Sequence, residues 1–502
     1  MKKRWIVLLT AGLCTASLAQ TPKPRTLTIA LNAYVNTLDP HHAGASIIGA
    51  RTYNLMFDSL TDFDEKDRLR PMLATRWSSK DNVTWVFQLR PKVRFHDGST
   101  MTAEDVAYSL NRLLNDDKPS SIRSSYQPYI KSIKATGPLE VTITTTQPDV
   151  LLPRRLATQY TAIMPKAYLQ KTSFEALQLK PVGTGPYRVT EYSPGGRMVL
   201  ERHDAYWGGK PVAERVVVRA IAENSTRVAA LLSGEVDIAT NIPPDVVSQV
   251  ESRSNLQVDD VALDNYMLLY FNTRSGPTAN VHLRRALSLA IDREGISKAL
   301  WGGRVRVMND YFLPNELAYS KNRPNFRFDL DEARKELKLA GYKGEEILFA
   351  TPATYYTNGK VVTDAIYQMW KNLGVNVKYT PLETVEWSQM AAAGKIQVTL
   401  QSFSTDGDPG TNNAVKSFAE NTLLKNYYVA SDTFVRLANQ SLRTSNVAAR
   451  IKNYRQIAGI LDKDLPITPL YQSVELVGVK KNVRWTPHPR FYINLRPGKF
   501  DF

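Results

Sequence analysis

The stretch most suggestive of chemistry lies at positions 401–413, which read QSFSTDGDPGTNN. Two carboxylates, Asp406 and Asp408, sit among Gly and Asn residues behind a single aromatic, Phe403. Such a loop could hold a metal ion, clamp an ammonium group or cap a turn. An EF-hand does not fit. With Asp406 at position one, Pro409 falls at four, Thr411 replaces the glycine at six and Ser417 replaces the glutamate at twelve. Aspartate also bonds its own backbone readily, so turn capping by one of the two is expected. The spacing alone leaves the ammonium clamp open.

Elsewhere the signatures of catalysis are missing. The chain contains no H-E-x-x-H, C-x-x-C, P-loop, G-x-S-x-G or S-x-x-K pattern. Its six histidines are scattered at 41, 42, 96, 203, 282 and 488. Only His41 and His42 are adjacent, and on a strand they would face opposite ways, which is poor for a shared metal. A turn after Asp39-Pro40 accounts for them. GTGPYRV (183–189) lacks the third glycine of a dinucleotide loop, and Pro186 removes a backbone donor; it reads as a tight turn before a strand. A secreted hydrolase is therefore a remote reading: histidines are available, but no nucleophile motif accompanies them. No metal site and no cofactor are expected.

These residues must be positioned by a large, mixed framework. The 502 residues are 43% hydrophobic and 22% charged, enough for at least two lobes with substantial cores. The formal net charge is +16, but the basic residues are spread along the chain with no aromatic-interleaved stripe, so nucleic acid is not expected as a partner. The first 19 residues read as a signal peptide: Lys2, Lys3 and Arg4, an apolar run from Trp5 to about Leu13, then Ser17-Leu18-Ala19. The sole cysteine, Cys14, lies within it behind Leu13, where a lipoprotein signal would place a small residue, so conventional cleavage is favoured. An exported chain without structural thiols must rely on its core.

A β-branched, apolar run predicts a strand at 26–32, alternation predicts one at 83–89, further strands read at 139–145 and 216–221, and period-3.6 patterns predict helices. Thr102 and Asp105 form a capping box ahead of Val106, Leu110, Leu113 and Leu114. Val228, Leu231 and Leu232 line a helix stopped by Gly234, followed by the strand VDIA. Leu283, Leu287 and Ile291 line another. Val362, Ile366, Met369 and Leu373 line a further one that Gly374 ends before VNVKY (375–379), and a last long helix runs near 447–463. Helix and strand alternate in the α/β manner.

Read together and in order, TLDPH (37–41), FHDGSTMTAEDVAYSLNRL (95–113), GTGPYRV, LERHDAYWGGKP (200–211), LLSGEVDIA (231–239), VHLRRALSLAIDR (281–293) and ARKELKLAGY (333–342) resemble the family 5 extracellular solute-binding proteins. These are the dipeptide- and oligopeptide-binding type that serves bacterial ABC importers. The resemblance covers nearly the whole chain after the signal. It implies the two-lobed periplasmic-binding-protein fold of the large type II class. Residues 20–268 plus 478–502 would form the first lobe, with a subdomain at about 60–180. Residues 269–477 would form the second lobe, and crossover strands would lie near 266–272 and 475–480. It implies capture of a short peptide or other small solute, and delivery to an ABC permease and its ATPase by an exported, periplasmic or envelope-associated monomer. Relatives of the same fold carry nickel complexes, haem, glutathione, oligosaccharides or opines.

The resemblance also assigns site residues. Peptide-binding members carry a W-x-x-D element whose aspartate pairs with the ligand's ammonium; Phe403 and Asp406 match its spacing. The following D-P pair matches Asp408-Pro409 one residue early, and aligning on that pair would put Thr405 at the clamp. Ala33, Tyr34 and Val35 fall where the first strand approaches ligand. Trp387 matches a pocket aromatic, with core packing its plain alternative, and Tyr266 and Asn272 lie on the presumed crossover. An arginine that some oligopeptide binders place three residues before the tryptophan is Leu400 here.

Overall fold

The computed structural model describes residues 24–33, 36–42, 47–118, 120, 122–323, 326–420 and 425–502. The expected signal peptide, and Tyr34 and Val35 with it, lie outside the described residues.

Among the described residues the largest sheet is mixed and eleven-stranded. At its heart are two long strands, Leu256–Phe271 and Ile467–Lys480, paired antiparallel. Leu256–Val261 mixes buried and more exposed positions, whereas Tyr266–Phe271 and nearly all of Ile467–Val479 are buried, as strands covered on two faces are. Their ladder is interrupted twice. Leu256–Ala262 pairs with Lys480–Val474, Tyr266 and Met267 pair with Gln472 and Tyr471, and Leu268–Tyr270 pairs with Pro469–Ile467. A bulge bends a strand and raises its local twist. The wider break falls at 263–265, opposite Ser473.

On the first-lobe side, Thr26–Leu31 lies between Ile238–Ala239 and Arg215–Ala220, parallel to both. The crossover between those two is the helix Asn224–Leu232, stopped near Gly234 at φ +80°. On the second-lobe side, Ile347–Pro352, the helix Gly359–Asn372 and the parallel strand Val377–Leu382 form a second such unit. That strand begins two residues later than VNVKY suggests, because the Val375 N–H still bonds the Trp370 carbonyl at the helix end. Val398–Ser404 then pairs with Leu256–Phe271 and carries the 401–413 loop to the lobe junction.

A separate four-stranded antiparallel sheet, Ala74–Ser79, Thr84–Leu89, Glu140–Thr145 and Ile130–Gly137, is covered by the helix Ala103–Asn115. Trp85, Phe87 and Leu89 face its core together with Val106, Leu110, Leu113 and Leu114. The capping box is formed: Thr102 accepts from the Asp105 N–H while the Asp105 carboxylate accepts from the Thr102 N–H. The C-terminal segment returns to the first lobe, where Val483, Trp485, Ile493, Leu495 and Phe500 join the core under Thr26–Leu31.

Candidate functional site

The 401–413 loop meets the first lobe at a cluster of charges. Gly407 has φ +74°, which a residue with a side chain adopts only with strain, and a Cβ there would overlap the Asp67 carboxylate. The loop backbone thus rests directly on Asp67, which caps the hairpin joining Thr61–Phe63 to Leu69–Pro71. Asp67 itself adopts φ 57°. Thr405 donates its N–H to the Asp264 carbonyl at 3.0 Å, and Asp264 donates its own N–H to the Pro489 carbonyl at 3.1 Å. Loop, crossover strand and C-terminal segment are therefore stitched together by backbone.

Arg490 occupies the middle. Its Nη1 donates to Asp406 Oδ1 at 2.6 Å and its Nε to Asp67 Oδ1 at 2.9 Å, with Asp264 Oδ2 3.4 Å away. The guanidinium lies 3.8 Å from the Phe63 ring centroid, a cation–π contact, and Arg154 lies over the same ring at 4.8 Å. Arg154 donates to the Asp406 carbonyl and pairs with Asp67 at 3.5 Å. Burial opposes charge on Arg490, but Asp67, Asp406 and Asp264 outweigh it and hold its pKa above the ordinary value. The carboxylates feel the reverse. Burial pushes Asp264 up to about 7 against the pull of Arg490, and Asp67 is raised for the same reason. Three carboxylates and two guanidiniums thus share one small, partly enclosed volume.

Beneath the loop, Glu316 is fully buried and accepts from Thr405 Oγ1, Asn412 Nδ2 and the Leu313 N–H. With no cation in that shell, burial outweighs these bonds and pushes its pKa up to about 8. A second lobe contact lies nearby. Tyr129 donates to Glu420, Arg155 stacks on Tyr129 at 3.7 Å, and Val150 bonds the Leu442 carbonyl at 2.9 Å.

The sequence-derived candidates are distributed unequally around this junction. Asp406 stands on it with a partly exposed carboxylate. Asp408 does not present its carboxylate there: it is buried, pairs with Arg450 at 2.6 Å and accepts from the Gly410 N–H at 3.0 Å, so it caps the turn. Thr405 is buried with its hydroxyl on Glu316. Phe403 and Tyr266 are buried edge to face in an aromatic core with Tyr270 and Phe418. Asn272 satisfies its amide on the Gly394 carbonyl and on the N–H groups of Arg274 and Ser275, a turn at the far end of the crossover strand. Trp387 is half-buried and donates to Thr399 Oγ1 at 2.8 Å. Ala33 is partly buried at the end of the first strand, beside Leu31 and Gly196. Leu400 points into the apolar core, where an arginine would be a buried unpaired charge. The residues that motif reasoning misses are Arg490, Asp67, Asp264 and Arg154. Each is an ordinary charged residue in its own stretch, and only folding brings them within reach of Asp406.

Residues 68–423 match the family model described as "Bacterial extracellular solute-binding proteins, family 5 Middle". The chain belongs to this family. This solute-binding protein is 26% identical over 482 residues to the peptide transport periplasmic protein SapA of Salmonella typhimurium, covering 90% of this chain and 88% of that one. It is 26% identical over 442 residues to the dipeptide-binding protein of Escherichia coli, covering 82% and 83%. Among solved structures, the periplasmic binding protein DppA from Helicobacter pylori, in complex with the peptide STSA, superposes with a TM-score of 0.81 at 26% identity, covering 95% of this chain and 97% of that one. No helix among the described residues is long and apolar enough to cross a membrane.

Proposed function

We propose that this solute-binding protein captures short peptides between its lobes, outside the cytoplasm, and delivers them to an ABC permease. The observation that carries the reading is the Asp406 carboxylate, set by the 401–413 loop at the junction of the lobes, where it can receive an ammonium group. Family membership and the printed names of the similar proteins support the same class of ligand. The first lobe takes residues 20–268 and 478–502, with 60–180 as its subdomain, and the second takes 269–477, the hinge lying in the crossover strands near 266–272 and 475–480. A ligand touching both lobes favours closure by its differential contacts. An extended peptide pairs its main chain with backbone at the end of the first strand near Ala33, and bridging waters in roomy side-chain pockets tolerate many sequences. Trp387 lines the second-lobe wall of that space. The role is binding rather than catalysis, in keeping with the solute-binding family and the peptide-binding names of similar proteins.

Calorimetric titration with alanyl-alanine and N-acetyl-alanyl-alanine tests this. The free dipeptide is expected to bind, and the acetylated one to bind about thirtyfold or more weakly, because acetylation removes the charge that the Asp406 carboxylate would receive. Equal affinities would remove Asp406 from the role of ammonium clamp. Absence of binding by di-, tri- and tetrapeptides would turn the reading to a non-peptide solute of the same fold.

A further inference from the structure

The carboxylate proposed to receive a ligand's ammonium already carries a cation from the chain itself. Arg490 is anchored on the first lobe: Ile493 three residues on bonds the Arg51 carbonyl at 3.1 Å, and Asn54 bonds the Ile493 carbonyl at 3.1 Å. Its guanidinium reaches across the junction to Asp406 on the second-lobe loop while it holds Asp67 and approaches Asp264. An ammonium group binding Asp406 and bridging both lobes would need the same position and the same charge.

We propose that Arg490 is a specificity-determining residue that acts as an internal competitor: it latches the lobes through Asp406, and a ligand enters only if its own cationic group displaces the guanidinium from that carboxylate. This rests on the ammonium-clamp reading above for the ligand half, while the latch itself stands on the contacts alone. Three features support it. The contact is charge-assisted and short, the type that survives partial enclosure. The cluster holds three carboxylates against two guanidiniums, so removing Arg490 leaves like charges facing one another across the junction. The loop approaches so closely that only glycine fits at 407, where a Cβ would overlap Asp67 and lie 2.6 Å from Arg154 Nη2. The ligand chemistry that follows is an ammonium or guanidinium end group. A neutral or anionic solute cannot displace Arg490, because it offers Asp406 nothing in exchange.

The test compares the full-length mature chain with its R490Q, D406N and G407A variants by small-angle X-ray scattering without added ligand, and by titration with alanyl-alanine. R490Q removes the cation, D406N removes its second-lobe partner, and G407A blocks the close approach while leaving both charges. All three are expected to give a larger radius of gyration than the parent. R490Q is expected to bind alanyl-alanine more tightly, about tenfold if the latched form holds nine-tenths of the parent molecules. A radius of gyration for R490Q equal to the parent's overturns the latch. Weaker binding of alanyl-alanine by R490Q overturns the competition, since Arg490 would then be holding the ligand. D406N that expands yet binds alanyl-alanine as the parent does refutes the ammonium clamp while leaving the latch standing. R490K keeps the charge but loses the fork, and is expected to fall between parent and R490Q in radius of gyration; if it matches R490Q, charge is not what closes the junction.

Discussion

Replacing Glu475 by leucine strands a cation in the interior of the first lobe. Arg51 Nη1 lies 2.5 Å from Glu475 Oε1, and both side chains are under 5% exposed. The Arg51 guanidinium also packs over Phe491 at 4.6 Å. At an effective dielectric of 20 the attraction at this distance is about 6–7 kcal/mol, and the desolvation of both groups offsets most of it. The net worth of the pair is therefore small, whereas removing one partner leaves the desolvation of the other uncompensated, about 3–5 kcal/mol. For a chain of this length the melting temperature moves by about 1 °C per kcal/mol. Glu475→Leu and Arg51→Met should each lower it by about 3–5 °C in a thermal scan, and the double variant should recover to within about 2 °C of the parent. Either single variant melting within 1 °C of the parent, or a double variant worse than both singles, would refute the claim that an uncompensated buried charge is the governing cost.

Other expectations follow from buried titratable groups and close packing. Glu316 in the folded chain keeps its proton up to about 8, whereas in the unfolded chain it loses it near 4.5, so the folded state holds the extra proton between these values and its contribution falls as pH rises. Between pH 6 and 7.5 this amounts to about 2 kcal/mol, and the parent-minus-Glu316→Gln difference in denaturant-unfolding free energy should fall by that amount across the interval. His96 behaves oppositely. Burial holds its pKa down at about 3, with Gly185 as its carbonyl partner and His203 edge-on at 5.0 Å. The unfolded chain therefore binds the proton first, and stability falls as pH drops from 6.5, by about 2 kcal/mol at pH 5; the His96→Gln difference curve should show this. Gly185→Ala places a Cβ 2.6 Å from the Phe57 nitrogen and 2.7 Å from the Leu55 oxygen, so urea unfolding should show a loss of about 3 kcal/mol or more.

The framework is legible in the sequence because its signals are local. The capping box at Thr102 and Asp105, the alternation at Trp85, Phe87 and Leu89, and the glycine stops at 234 and 374 each depend on neighbours a few residues away, and each appears where it is expected. The two long strands are found where YMLLYFN and ELVGVK read as strands, but their register shifts are not legible, since a bulge is set by both strands together and not by either pattern. The junction is different in kind. Asp406 can be singled out by its spacing to Phe403, yet its partner Arg490 is 84 residues away, and Asp67 is 423 residues from Arg490. No periodicity links them. Asp408 looks equivalent to Asp406 along the chain, and only the fold separates them, turning one toward the junction and the other inward onto Arg450.

The central claim is that the cleft between the lobes holds peptides. Native mass spectrometry of the purified mature protein, before and after gentle denaturation and refolding, addresses it most directly. The account predicts a ladder of short-peptide masses released on denaturation, peptides that rebind after refolding, and loss of retention in Asp406→Ala. One discrete non-peptide mass, retained equally by Asp406→Ala, would contradict it.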